Sequence, residues 1–179
     1  IEGIQEKLGV GKDYHVGVVT SDAYTGNAPG CQNLGALVTQ TSGAGSSEKV
    51  CGPFNDGRRY LTKSDDLAGG FACMAQVGVS GDPREQMIDA PVAAIGPAMN
   101  ESTACNAGFI RPDSLLVLVL MTDEDDATLV EGIGVDLGLI DPDKLPSEWY
   151  SQVVSASGRD QEKIVVVSLV KGAPENVCA

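Results

Sequence analysis

Leu115-Leu116-Val117-Leu118-Val119-Leu120-Met121, followed at once by Thr122-Asp123-Glu124-Asp125-Asp126, is the stretch on which the fold turns. Seven apolar residues run without alternation. That is the pattern of a strand covered on both faces, as in the middle of a parallel sheet. Four carboxylates in the next five residues occupy the C-terminal end of that strand. In open α/β sheets ligands bind at that edge. Carboxylates crowded together repel one another and attract a hard divalent cation, Mg²⁺ or Ca²⁺. With the strand extended through the run, Asp123 and Asp125 share one side and Glu124 and Asp126 the other. The competing reading is a solvated acidic turn with one carboxylate capping a helix.

Working outward, the chain alternates helical and strand patterns. Ile1, Ile4 and Leu8 have helical spacing, ended by Gly9 and Gly11. Tyr14 to Thr20 (YHVGVVT) predicts a strand, with Ser21-Asp22 at its end. A polar stretch at about 23–58, rich in Gly, Ser, Thr and Asn, reads as a loop insertion or a small hairpin within a single domain of residues 1–179. Arg59 to Thr62 reads as a short strand. Ser64-Asp65-Asp66 predicts an N-cap for a helix through Phe71 and Met74 to about Val77. Gly78 to Pro83 is a turn. Arg84 to Met99 has Met87, Ile88, Val92 and Ile95 on one side of a helix, and Pro91 should kink or split it. Beyond the acidic run, Leu129 to Leu145 is Gly-rich and indistinct. Pro146 to Val154 predicts a short helix led by proline, and Lys163 to Val170 (KIVVVSLV) a second buried strand. Helices alternating with apolar strands predict an α/β fold.

The 179 residues carry a formal net charge of −13. That argues against nucleic acid or an anionic membrane surface as partner, since both require basic patches. No apolar run approaches the roughly 20 residues of a membrane span, so no membrane insertion is expected. The first residues, Ile-Glu-Gly, predict a processed or trimmed form. Of the five cysteines, Cys31, Cys51, Cys105 and Cys178 lie in Gly-, Asn-, Pro- and Ser-rich surroundings typical of disulfides in secreted proteins. The expected bridge is Cys31 to Cys51, with Cys73 to Cys105 as the second pairing. The alternative is five free thiols in a cytosolic protein. One histidine and no CxxC spacing exclude the usual zinc motifs.

Several segments, in order, resemble the von Willebrand factor A (vWA) fold, in particular a cysteine-bearing secreted bacterial subgroup. They are Asp13–Asp22 (DYHVGVVTSD), Phe71–Gly78 (FACMAQVG), Gly78–Ala90 (GVSGDPREQMIDA) and Gly108–Asp126 (GFIRPDSLLVLVLMTDEDD). The resemblance spans roughly residues 1–126 and the strand at 163–170. It implies a three-layer, mostly parallel Rossmann-like sheet flanked by helices. It also implies a divalent ion at a metal-ion-dependent adhesion site, whose free coordination position accepts a carboxylate from a protein ligand. Asp123 matches the Asp of the family's Thr-Asp pair, and Ser80, in Gly78-Val79-Ser80-Gly81, stands where a hydroxyl ligand is expected. The family's DxSxS motif is absent. It belongs before the Ile1–Leu8 helix, so the usual first strand is expected to be missing, with the gap filled by strand exchange in a homo-oligomer.

Catalysis has little support. His15 lies in a strand, and no GxSxG elbow, P-loop or GxGxxG occurs. Asn100-Glu101-Ser102 fits the N-glycosylation pattern. The expectation is therefore a secreted, periplasmic or cell-envelope domain, not an enzyme, which binds a protein ligand through a divalent metal held by Asp123, Ser80 and Asp125. The alternatives are a metal-dependent hydrolase using Asp123 and Asp125 to activate water, and a structural subunit of an envelope assembly.

Overall fold

The computed structural model describes residues 13–82, 85–122 and 146–170. The helix expected at Ile1 to Leu8, the acids Asp123 to Asp126, the Gly-rich stretch to Leu145 and Cys178 lie outside the described residues. The elements in chain order are α1 (Leu67–Ala75), α2 (Asp89–Ile95), α3 (Pro97–Asn100), β1 (Leu116–Thr122), α4 (Pro146–Ser157) and β2 (Ile164–Val170). The protein is mixed α/β, with β1 and β2 paired in parallel from Leu116 opposite Ile164 to Thr122 opposite Val170. Parallel strands need a crossover between them, and α4 lies in that connection.

Each helix starts and stops where local chemistry directs. The Asp66 carboxylate accepts the Gly69 N–H and caps α1. Pro91 does not break its helix, because it falls in the first turn of α2, where no intrahelical N–H is needed. The split comes instead at Gly96-Pro97, where Gly96 is extended and α3 begins. Pro146 opens α4 as expected.

Two apolar clusters form. The first joins Tyr24, Val38, Leu61, Leu67 and Met74, packed by Val16, Val18 and Phe71. It is built on α1 and on extended segments held by few backbone bonds. Tyr14 to Thr20 does not form the expected strand. It makes a single antiparallel bridge, Val16 to Leu61, and the Val18 carbonyl accepts from Val38. The stretch at 23–58 contributes to this core: Leu37 and Val38 are fully buried, and Gln40 bridges Val50 antiparallel.

The second cluster lies between the sheet and two helices. Leu116, Leu118, Leu120, Ile164 and Val166 face Ile95 of α2 and Trp149 and Val153 of α4. The indole N–H of Trp149 donates to the Ile88 carbonyl at 3.0 Å. Among the described residues, helices cover one face of β1 only. Exposure alternates along β1, and Val117, Val119 and Met121 lie outward. The apolar run lacked polar residues to reveal a solvent-facing side.

The four cysteines among the described residues are paired, but not as expected. Cys31 joins Cys105 and Cys51 joins Cys73. Cys51 follows the segment hydrogen-bonded to Thr39, which packs it on α1 beside Cys73. Cys31 sits instead against the turn after α3, where Asn106 binds the Gly35–Leu37 segment. Proximity in sequence suggested Cys31 with Cys51, whereas tertiary packing separates them. Closing loops with separations of 74 and 22 residues stabilises the fold by about 4 and about 3 kcal/mol in the chain-entropy picture. Peptide mapping without reduction should recover Cys31–Cys105 and Cys51–Cys73 and no Cys31–Cys51 peptide. Reduction should lower the melting temperature by well over ten degrees.

Candidate functional site

The turn after α1 is fixed by backbone. Gly78 has φ 85°, and a Cβ there would lie 2.5 Å from the Ala44 carbonyl oxygen. Only glycine fits so close an approach. The Val79 N–H donates to that carbonyl at 2.9 Å, and the Ala44 N–H donates to Ser80 Oγ at 3.0 Å. Ser80 is thereby held on the surface, its hydroxyl oxygen already accepting one bond and retaining a second lone pair.

Asp22 fastens the other side of this turn. It is 6 % exposed, and its Oδ2 accepts the Asp82 N–H at 2.9 Å. The neighbouring Ser21 carbonyl accepts from Gln86 at 2.8 Å. Two residues on, the Ile88 carbonyl accepts from Trp149, in the first turn of α4. In a strand–helix–strand crossover the helix starts at the edge where the first strand ends. The chain of bonds Trp149–Ile88, Gln86–Ser21 and Asp82–Asp22 links the Ser80 turn to the start of α4. Asp22 was not expected as a site residue. Its signal was an acid directly after a strand-like run, the same pattern that drew attention to Asp123.

This turn carries Ser80 Oγ on the surface, with the buried Asp22 carboxylate behind it. Asp123 and Asp125 lie outside the described residues. Among the described residues no three His, Cys, Asp or Glu side chains converge to hold a metal. Ser80 and Asp22 offer fewer oxygens than the six or more that Mg²⁺ or Ca²⁺ takes.

The remaining candidates have structural partners. His15 Nδ1 lies 2.7 Å from the Phe109 carbonyl oxygen, so Nδ1 carries the proton and donates. The ring packs on Tyr60 at 4.3 Å between centroids. The phenol of Tyr60 donates to the Gly108 carbonyl at 2.8 Å. Burial pushes the Tyr60 phenol up in pKa. Asn100 Nδ2 donates to the carbonyls of Ala94 and Gly96, and its Oδ1 accepts from Ile110. Both amide hydrogens are thus committed, and a glycan on Asn100 would break this anchor in the folded chain.

Asn27 and Asn106 form the buried polar framework. Asn27 Oδ1 accepts from Ala28 and Thr39. Arg59 Nη2 donates to the Leu37 carbonyl at 2.8 Å and to Asn27 Oδ1 at 3.2 Å. Comparison of the chain with protein-family models, with curated proteins and with solved structures gives no match.

Two tests follow from this geometry. Burial, the largest influence on His15, lowers its pKa from the ordinary 6.5; the bond to Phe109 and the Asp13 charge oppose this, while Arg111 and Arg58 add to it. The folded state then binds the proton less tightly than the unfolded chain. Stability from this residue is intact above about pH 6.5 and falls as pH drops toward the lowered folded value. Urea midpoints of the wild type should fall more than those of His15→Gln between about pH 7.5 and pH 5.5. Parallel profiles would remove His15 as a source of acid sensitivity. Separately, Asn106→Ala strands the buried Leu37 N–H and the Gly35 carbonyl, and leaves the Ala94 carbonyl with the Asn100 bond alone. At about 1–3 kcal/mol for each unsatisfied group, equilibrium denaturation should show a loss on the order of 3 kcal/mol or more.

Proposed function

We propose that this chain is a binding module of vWA-like, three-layer architecture that engages a protein ligand at the edge where β1 ends. A divalent cation, held by Asp123 with Ser80 and Asp125 contributing, would take a carboxylate of the partner. The observation that carries this reading is the parallel pairing of β1 and β2. It brings the C-terminal ends of both strands, Thr122 and Val170, to one edge. Ligands bind at such edges in α/β sheets.

The loops around that edge support binding rather than turnover. They are ordered by the Cys51–Cys73 bridge, by Tyr24, whose hydroxyl donates to the Val77 carbonyl at 2.8 Å, and by the Ser80–Ala44 bond. Such loops on a rigid scaffold make contact surfaces. The two disulfides fit an oxidising compartment, and a secreted or envelope location is part of the proposal. No helix among the described residues is long and apolar enough to cross a membrane.

Calorimetric titration with Mg²⁺, Mn²⁺ and Ca²⁺ tests the metal. Binding should occur with at least one, weaken in Ser80→Ala and vanish in Asp123→Asn. Absence of heat at millimolar ion would sink the metal-dependent reading. Turnover of a phosphoester or peptide panel, lost in Asp123→Asn, would make the protein a hydrolase instead. Tight self-association with no effect of metal on melting would indicate a structural subunit.

A further inference from the structure

The Ser80 turn is fixed by a loop that has little hold of its own. Residues 39–51 form a small hairpin: Gln40 bridges Val50, and the Thr41 N–H donates to the Lys49 carbonyl at 2.9 Å. Its tip carries Ala44, whose carbonyl accepts from Val79 and whose N–H donates to Ser80 Oγ. The first arm is anchored, with Val38, Thr39 and Thr41 buried. From Ser42 to Val50 no residue is buried, and Val50 is 72 % exposed. A segment with exposed hydrogen bonds and no buried apolar contact opens locally at low cost.

We propose that the Cys51–Cys73 disulfide is a redox latch on this loop, and through it on the Ser80 turn. Its relevance to recognition rests on the binding role proposed above, whereas its structural content does not. Cys51 ends the second arm and packs against the first apolar cluster. Cys73 lies in α1 beside the buried Met74. The bridge thus ties an arm with no buried residue to a helix anchored by Leu67 and Met74. Ser47, at the tip, sits over the bridge. Its Oγ donates to the Cys73 carbonyl at 3.2 Å and lies 3.8 Å from Cys73 Sγ. Its N–H donates to the Gln76 carbonyl at 2.9 Å.

The other bridge is placed differently. Cys31–Cys105 closes beside Asn106, whose buried side chain bonds Leu37, Gly35 and Ala94 across the same junction. Opening it leaves that buried contact in place. Opening Cys51–Cys73 leaves residues 42–50 held by hydrogen bonds alone. Cys51 and Cys73 are both half-buried, so neither is sealed in the core. A dithiol reductant attacks one sulfur and passes through a mixed disulfide. The Sγ–Sγ bond breaks, two electrons and two protons are transferred, and both cysteines become thiols while the dithiol closes to its own disulfide. The hairpin tip is then released, and Ser80 loses the bond from Ala44 that fixes its hydroxyl.

Hydrogen exchange in the full chain tests this. The reporters are the amides of Ser47 and Val79, bonded to Gln76 and Ala44, against those of Val38 and Leu61, bonded to Val18 and Val16 in the core. In Cys51→Ala with Cys73→Ala, protection at Ser47 and Val79 should fall about tenfold or more while Val38 and Leu61 stay protected. The wild type titrated with dithiothreitol should show the same selective loss as free thiols appear at Cys51 and Cys73, and re-oxidation should restore it. Unchanged protection at Ser47 and Val79, or a loss that re-oxidation does not reverse, overturns the latch. Protection lost at the core amides as well also overturns it, since the bridge then holds the whole fold. The readout is backbone exchange, so a failed metal titration leaves this result standing.

Discussion

The side chain of Asn106 holds the two cores of this protein against each other. It is fully buried, and its three hydrogen bonds all go to backbone. Its oxygen accepts from Leu37, and its nitrogen donates to Gly35 on one core and Ala94 of α2 on the other. Gly35 has to be glycine, since a Cβ there would sit 2.5 Å from the Ala94 nitrogen. The approach is therefore backbone on backbone, and only a side chain with both donors and an acceptor can fill it. The adjacent Cys31–Cys105 bridge locks the same contact covalently. Much else depends on this junction, because the core around Leu61 and Met74 has little regular ladder of its own. Its extended segments are joined through single bridges and isolated bonds rather than a continuous sheet.

The sheet half is organised by a different constraint. Parallel strands cannot be joined by a hairpin, so α4 must return the chain from the end of β1 to the start of β2. Trp149 and Val153 then cover the inward side of the sheet, and the indole ties α4 to Ile88. Arg159, just after α4, bonds the carbonyls of Arg111 and Ser114 and so fixes where β1 begins. One polar side chain thereby aligns the start of one strand with the approach to the other.

Much of this half was legible in the sequence. β1, β2 and α4 fall within a few residues of their expected bounds, because long apolar runs and a leading proline are local signals. The Asp66 cap was legible for the same reason. Less visible was how the pieces meet. The run from Leu115 to Met121 contains no polar residue, so it carried no information about which face meets helices. The stretch at 23–58 looked like an insertion because its core residues, Leu37 and Val38, are few among polar neighbours. Those polar neighbours include Asn27 and Thr41, which are buried with side chains bonded to backbone, a role composition cannot show. The cysteine connectivity failed on the same ground, since it follows from Asn106 and α1 rather than from spacing. At the candidate site, the turn around Ser80 was readable from its glycines. Its contact with Ala44 and the buried anchor at Asp22 were not, because their partners lie 36 and 60 residues away.

The stapled loops have a consequence for recognition. Ordering a residue on binding costs roughly 1–2 kcal/mol of backbone entropy, and a free polar loop of this length would lose most of its affinity to that cost. Here the ordering occurs on folding. Asn27 bonds Cys31 and Leu37, Tyr24 bonds Ser42 and Val77, and Cys51 is joined to Cys73. Under the proposed binding role, a partner reaching the Ser80–Asp22 turn would meet a surface whose backbone is already set, and small contacts could then suffice for specificity.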